Sequence, residues 1–273
     1  MLSSKAFDFD KLTKSAKNVR QTIIELAYNN DGGHHLGGGL SMVELMCYLY
    51  GTFLNNTSEN VHDINRDRFI LSKGHGVLGF FPVLLEYGFI TKEDIMTYKQ
   101  FKSYFISHPI KAHQYGIESS NGSLGHGLSY GLGIAIGLNL INSDARVVVF
   151  VGDGECNEGS IWEAIMLAST LHLSNLYLII DNNSFQSDGE TNSIVMQGNL
   201  SARLTSFGWC AVDIDGHCFT SIHAALNTSS SKPKAIVAST VKGKGIDFME
   251  SNNAYHHAAI TKAIFNSAIE CIN

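Results

Sequence analysis

Two predicted strand ends carry oxygen-bearing side chains that could bind a divalent cation. A continuous β-branched run at residues 146–151 predicts a buried parallel strand, and Gly-Asp-Gly follows it with Asp153 at the centre. A second predicted strand, residues 176–180, runs into Asp181, Asn182 and Asn183. Because the carboxyl ends of adjacent parallel strands face one crevice, Asp153 and Asn183 can converge there. One carboxylate and one amide oxygen suit a hard cation such as Mg²⁺ or Ca²⁺.

The residues around Asp153 also suit an anion. Gly152 and Gly154 let backbone N–H groups approach a ligand, and the helix predicted over residues 158–171 adds positive potential at its N-terminus. A small set of protein ligands suits a metal that also holds phosphate oxygens. A generic strand-to-helix turn would explain the first Gly-Asp-Gly, but the second polar strand end, roughly thirty residues later, favours a binding site.

Histidines form the second group of candidate functional residues. Nine of the 12 lie in or beside loops rich in glycine or polar residues: His34, His35, His75, His108, His113, His126, His217, His256 and His257. Imidazole titrates near neutral pH, which suits proton transfer. A zinc site is the alternative, but no finger-like spacing occurs and the cysteines are dispersed. For His113, His217 and His223, a structural or surface role is favoured.

The intervening sequence alternates between strand-like and helix-like segments. Strands are predicted over residues 69–71, 146–151, 176–180, 209–214 and 235–241, and helices over 11–29, 77–87, 91–101, 128–140, 158–171, 197–207, 220–227 and 258–269. Ser41 is predicted to cap a further helix, with Glu44 completing a capping box. Residues 72–76 and 107–127 are predicted loops. The alternation predicts an α/β fold: a central, mostly parallel sheet with helices on both faces.

Composition restricts the possible functions. The 273 residues are 44% hydrophobic and 16% charged, without a linker or a repeat, so residues 1–273 are interpreted as one domain with an N-terminal helix and a C-terminal helical extension. The net charge of −6 and the lack of a basic stripe argue against nucleic acid. Neither a signal peptide in residues 1–10 nor a membrane-spanning run is predicted. Five cysteines without a CxxC pair indicate reduced thiols in the cytoplasm.

The segment from Gly152 to Asn183 resembles the thiamine diphosphate signature, which begins with Gly-Asp-Gly and ends near Asn-Asn. Further segments resemble transketolases in order along nearly the whole chain: residues 33–41, DRFILSKGHG at 67–76, Ser107-His108-Pro109, NGSLGHGLS at 121–129, Asp215-Gly216-His217, KGKGIDFME at 242–250 and Tyr255-His256. The motifs are specific in combination. The resemblance implies a thiamine diphosphate-binding fold.

The resemblance also implies roles for individual residues. Asp153, Asn183 and the main-chain oxygen of Phe185 would bind Mg²⁺, or Ca²⁺ or Mn²⁺ in its place. Thiamine diphosphate would contact His75, Gly122, Ser123, Leu124, Gly152, Asp153, Gly154, Glu155, Asn183, Phe185, Lys242 and His256. The catalytic set would comprise His35, His75, His108 and His256, with Glu158 at the interface between chains, bonded to a partner's catalytic glutamate.

The sequence departs from the transketolase pattern at three places. His34 and His35 both fall in one motif, and counting back from Leu40 and Ser41 favours His35. His257 replaces the glycine that usually follows the matched histidine, and Ile110 stands where an acidic residue often follows His-Pro. These departures leave the donor and acceptor sugars open.

Full transketolases continue into a pyrimidine-binding domain and a C-terminal domain, which do not follow here. The resemblance therefore implies a separate partner chain that supplies the catalytic glutamate, and an α₂β₂ assembly. The implied reaction moves a two-carbon ketol unit from a ketose or ketose phosphate to an aldose. The alternatives are the α subunit of a 2-oxoacid dehydrogenase and a degenerate non-catalytic partner. A dinucleotide-binding protein is disfavoured, because no GxGxxG follows an early strand.

Overall fold

Five parallel strands form the central sheet of the computed structural model, which describes residues 6–273. The strands within these residues are β1 Arg68–Leu71, β2 Val147–Gly152, β3 Leu176–Asn182, β4 Phe185–Gln186, β5 Gly189–Glu190, β6 Cys210–Asp215 and β7 Lys234–Ser239. The sheet has the order β1-β2-β3-β7-β6, and β4 and β5 form a separate antiparallel hairpin. All five predicted strands are present, and the first half of the segment examined for a signal peptide lies outside the described residues.

Helices connect the strands and cover the sheet. Their bounds are α1 Phe9–Asn29, α2 Leu36–Leu40, α3 Val43–Tyr48, α4 Val77–Glu86, α5 Lys92–Ile95, α6 His126–Leu140, α7 Gly159–Thr170, α8 Thr191–Ile194, α9 Leu200–Ser206, α10 Phe219–Asn227 and α11 Lys262–Ile272. No helix within residues 6–273 combines the length and the apolar character needed to cross a membrane. All five cysteines are free thiols.

Alternate side chains of the strands enter two hydrophobic cores, one on each face of the sheet. Along β2, Val148 and Phe150 pack in the core that includes α1, α4 and α10. Val147, Val149 and Val151 point to the opposite core, with α6, α7 and α9. Because consecutive strand residues face opposite sides, an uninterrupted apolar strand requires a cover on both faces. The predicted α/β fold is thereby confirmed.

Glycine lets α6 approach the sheet closely, as its sequence predicts. A Cβ atom on Gly131 would lie 2.4 Å from Cγ2 of Val149, and one on Gly127 would lie 2.3 Å from Oγ of Ser72. Neither position has room for a side chain. The helix therefore accepts the propensity cost of glycine in exchange for close packing.

Three local predictions are wrong. Ser41 is no N-cap: the chain is already helical at Leu36, Oγ of Ser41 donates to Asp181 at 2.7 Å, and Glu44 pairs with Arg20. The helix predicted over 91–101 ends at Ile95. The final helix begins at Lys262 rather than 258, because residue 258 forms an antiparallel bridge with residue 34.

Candidate active site

The ends of β2 and β3 bring the two predicted oxygen ligands to one edge of the sheet. Gly152 pairs with Asp181 in register, and the N–H of Asp153 donates to the carbonyl of Asp181 at 3.1 Å. Asn183 follows one residue beyond β3. Its amide N donates to the Asp181 carboxylate at 3.1 Å, and its Oδ1 accepts from the N–H of Phe185 at 3.1 Å. These bonds fix the orientation of the amide.

Asp153 is a buried carboxylate without a paired cation among the described residues. It is 2% exposed, and its oxygens accept from the N–H of Gly154 and the hydroxyl of Thr191, both at 2.9 Å. Burial, and then the nearby carboxylate of Asp181, raises the pKa of Asp153 to about 6. A bound divalent cation would offset both effects, and hard oxygen donors are what Mg²⁺ requires. The residues present therefore fit the metal expected from the sequence.

Gly154 has little free space around it. A Cβ atom there would lie 2.8 Å from the side chain of Gln186. Since its N–H donates to Asp153 in this structure, the predicted contact with a diphosphate would have to replace that hydrogen bond.

A buried ion pair that the sequence did not reveal lies directly beneath this edge. Lys73 pairs with Asp181 and also donates to the carbonyl of Gly38 at 2.8 Å. Asp181 is fully buried and accepts further bonds from Ser41 and Thr240. Burial alone would raise the pKa of Asp181, but these partners lower it below its ordinary value. A lysine in a predicted loop gives no local signal for a partner 108 residues away.

Glu155 contacts protein groups rather than open space. Its Oε1 accepts from Oγ of Ser72 at 2.5 Å and from the N–H of Gly125 at 2.9 Å, and its Oε2 accepts from the N–H of Gly152 at 3.2 Å. Both carboxylate oxygens thus join three loops at the sheet edge. The prediction that Glu155 binds the cofactor is revised: it is a positioning residue.

Four predicted catalytic histidines meet in space, and a fifth joins them. The ring centroid of His35 lies 5.3 Å from His75, 6.4 Å from His108, 5.4 Å from His256 and 4.7 Å from His257. The rings of His75 and His256 are 5.9 Å apart. Four separate segments of the chain supply this histidine cluster, defined as His35, His75, His108, His256 and His257.

Burial keeps the inner histidines neutral. The pKa of His35 falls to about 4, mainly by burial and then through His257. Burial followed by Lys242 lowers the pKa of His256 to about 4, and burial followed by Lys73 holds the pKa of His75 well below its ordinary value. At neutral pH these rings can therefore both donate and accept hydrogen bonds.

Lys242 determines which nitrogen of His256 carries the proton. Its Nζ lies 2.8 Å from Nδ1 of His256 and 2.7 Å from Oδ1 of Asn253. Burial, and then Lys73, lowers the pKa of Lys242 to about 8, so it remains mostly charged at neutral pH. A charged lysine donates to Nδ1, which leaves the proton on Nε2 of the neutral ring. Nε2 is then available as a donor.

The remaining histidines divide as their sequence context indicated. His34 is buried beside Tyr98, and its Nε2 bonds the carbonyl of Asn30 at 2.9 Å, outside the histidine cluster. His217 has a structural position: its Nδ1 lies 2.9 Å from Glu44. His223 contacts the Tyr48 hydroxyl at 2.7 Å. His113 lies exposed in a single turn of 3₁₀ helix.

The loop predicted to contact the pyrimidine ring is exposed. Gly122, Ser123 and Leu124 face solvent, and the first two line an open cavity of about 500 Å³ together with His108. Glu158 is also exposed, at the residue that precedes α7. These groups therefore lie on the molecular surface, where a second chain could reach them.

Comparison with known proteins decides the family. The family described as "Transketolase, thiamine diphosphate binding domain" matches residues 12–268. The chain belongs to the transketolase family. Human transketolase is 30% identical over 263 residues, which cover 95% of this chain and 41% of that protein. Transketolase-type transferase activity is thereby confirmed as the interpretation of the sequence, and the 2-oxoacid dehydrogenase and non-catalytic alternatives are not favoured.

Shorter relatives match this transketolase chain from end to end. One of the separately encoded subunits of the apulose-4-phosphate transketolase of Actinobacillus succinogenes is 37% identical, with 91% of each chain covered. The 6-deoxy-6-sulfo-D-fructose transketolase subunit SqwG of Clostridium sp. MSTE9 is 33% identical, with 94% of each covered. The similarity is therefore to transketolase subunits of this length as well as to full-length enzymes.

Solved transketolase structures share the fold. Transketolase from Campylobacter jejuni superposes with a TM-score of 0.87 at 25% identity, over 97% of this chain and 43% of that one. The enzyme from Leishmania mexicana superposes with a TM-score of 0.84 at 24% identity, over 94% of this chain and 40% of that one.

Proposed function

We propose that this chain binds thiamine diphosphate and Mg²⁺, with Ca²⁺ or Mn²⁺ as substitutes, as the diphosphate-binding subunit of a split transketolase. The observation that carries the proposal is the position of the histidine cluster beside the sheet edge that presents Asp153 and Asn183. A metal-anchored cofactor and a polyhydroxylated substrate need these two groups of residues next to each other. The similarity to single subunits of two apulose-4-phosphate transketolases supports it.

The cofactor, when bound, supplies the carbon nucleophile that cleaves a ketose and passes a two-carbon unit to an aldose. Asp153, Asn183 and the carbonyl of Phe185 would hold the metal. Lys242 carries positive charge at the same edge: its Nζ lies 5.6 Å from the ring centroid of Phe185, so it would face the diphosphate.

The neutral histidines would orient and protonate the substrate. Nε2 of His256 is a donor because Lys242 occupies Nδ1. His35 and His108, on the outer side of the cluster, can exchange protons with substrate hydroxyl groups. Their low pKa values keep them able to accept a proton at neutral pH.

A partner chain would complete the site. We propose that it supplies the pyrimidine pocket and a catalytic glutamate that bonds Glu158, and that two copies of each chain form an α₂β₂ assembly. The exposed loop Gly122–Leu124 and the exposed Glu158 support this arrangement. The substrates would be sugars or sugar phosphates. A cytoplasmic location stays a prediction, supported by the free cysteines.

Reconstitution tests the proposal. The purified chain, thiamine diphosphate and Mg²⁺ are assayed for ketol transfer with and without the pyrimidine-domain protein encoded beside it. We expect transfer only by the pair, and a loss of at least about 100-fold in Asp153→Ala, since a metal ligand is removed. Asp144→Ala, an exposed carboxylate, is the matched control.

Three results would contradict parts of the proposal. Strong ketol transfer by the single chain would exclude a split enzyme. Release of CO₂ from a 2-oxo acid without ketol transfer would indicate the dehydrogenase alternative. An Asp153→Ala pair as active as the wild type would indicate a non-catalytic role for this chain.

A further inference from the structure

His257 is the member of the histidine cluster that the family pattern does not supply, since glycine usually stands at this position. Its ring centroid lies 4.7 Å from that of His35, at an interplanar angle of 61°. That separation is smaller than the distances from His35 to His75 and to His256. An additional imidazole therefore contacts the histidine that is expected to bind substrate.

The backbone holds His257 in this position. His34 and Ala258 form an antiparallel bridge, in which each N–H donates to the other carbonyl, at 2.9 and 3.0 Å. The bridge places residue 257 across from Gly33 and His35. Two backbone hydrogen bonds define the register of this short pairing, so the ring does not lie beside His35 through side-chain rotation alone.

Gly33 provides the space that the ring of His257 occupies. A Cβ atom on Gly33 would lie 2.1 Å from Cε1 and 2.5 Å from Nδ1 of His257. Any other residue at position 33 would displace the ring. The pair of Gly33 and His257 therefore forms a built contact at the site entrance.

His256 and His257 face different parts of the site. His256 is half-buried and bonded to Lys242 at the sheet edge, whereas His257 is exposed. A substrate that approaches from solvent passes His257 before it reaches His256. The part of the sugar that lies outermost would then be next to His257.

We propose that His257 is a specificity-determining residue that hydrogen-bonds hydroxyl groups on the sugar carbons beyond the two-carbon unit. This inference rests on the proposed function. Imidazole offers one donor and one acceptor and suits vicinal hydroxyl groups. The ring adds binding for long aldoses and nothing for an aldehyde too short to reach it.

The test compares acceptors of increasing length with the reconstituted pair of chains. His257→Gly should lower kcat/KM about 10-fold for a four- or five-carbon aldose, through KM, which corresponds to about 1.4 kcal/mol for one lost hydrogen bond. Glycolaldehyde should react within about twofold of wild type. His257→Gln, which keeps a donor and an acceptor, should restore part of the loss. His62→Gly, at an exposed position outside the cluster, is the matched control.

Gly33→Ala provides an independent variant, because it displaces the ring without removing the imidazole. It should give the same length-dependent loss, and the double variant with His257→Gly should be no worse than the more affected single variant. A structural role of His257 would instead change unfolding or all acceptors equally.

The outcomes separate the two proposals. If the wild-type pair transfers no ketol unit, the proposed function and this inference both fall. If the pair is active but His257→Gly affects short and long acceptors alike, or neither, the inference alone is overturned.

Discussion

Neutral buried imidazoles connect the chemistry of the histidine cluster with the stability of the protein. His35 and His256 have pKa values near 4 in the folded chain, against 6.5 for an unperturbed histidine. Between these values the unfolded chain binds more protons than the folded one. The free energy of unfolding attributable to these residues therefore falls as the pH falls from about 6.5 to about 4, and the effect is absent above that window.

We expect His35→Asn to make the protein less sensitive to acid. Urea unfolding at pH 7.5 and at pH 5 should show a smaller loss of stability on acidification in the variant than in the wild type. The raised pKa of Asp153, about 6, has the opposite effect on stability but is common to both proteins. His62→Asn is the control, and an unchanged pH dependence in His35→Asn would contradict the argument.

Single residues were predictable where motif and chemistry coincided. Asp153 and Asn183 follow recognisable strands, and His35 was favoured over its neighbour by its distance from Leu40. Lys73 was missed because its role depends on Asp181, 108 residues later in the chain. Sequence spacing could not show that this lysine is buried.

The pairing of Lys73 with Asp181 joins the loop after β1 to the end of β3, with α2 held by the carbonyl of Gly38. Both charged side chains are almost completely buried. Removal of one partner leaves an uncompensated charge in the interior, which is far costlier than loss of a surface pair.

We expect Lys73→Met to lower the free energy of unfolding by about 3–5 kcal/mol. Chemical denaturation would measure the change. The double variant Lys73→Met/Asp181→Leu should recover much of the stability, because no buried charge remains unpaired. Lys92→Met, at an exposed lysine of α5, is the control, and a loss equal to that of this control would refute the argument.

Helices and strands with strong periodicity were predictable, whereas irregular segments were not. Leu12, Ala16 and Val19 lie on the buried face of α1 as expected. The helix expected over 91–101 fails because Lys99 and Lys102 adopt positive φ angles of 61° and 67°, which interrupt a helix. Side-chain periodicity carries no information on such backbone conformations.

The molecule exposes large apolar side chains on neighbouring helices of one face. Met166, Leu167 and Leu171 on or beside α7 are each more than 40% exposed, and Leu140, at the end of α6, is 79% exposed. α7 begins immediately after Glu158, which is expected to contact the partner. A contiguous apolar face of this kind is typical of protein–protein interfaces.

We expect Leu167→Glu to weaken assembly without unfolding the chain. Sedimentation velocity of the mixed chains should show loss of the largest species, because a charge would be buried in the interface. Met96→Glu, which changes another exposed apolar side chain, 72% exposed near α5, should leave the assembly intact. Unchanged sedimentation of Leu167→Glu would place the interface elsewhere.

The bridge between His34 and Ala258 joins distant parts of the chain, and it has a consequence for biosynthesis. The histidine cluster combines a ring from near the start of translation with two that are among the last to leave the ribosome. A nascent polypeptide therefore cannot assemble the cluster until synthesis is nearly finished. Pairing between such remote segments also slows folding. Cofactor loading would thus follow release from the ribosome, and a prematurely terminated product that lacks the bridge would carry no partial activity.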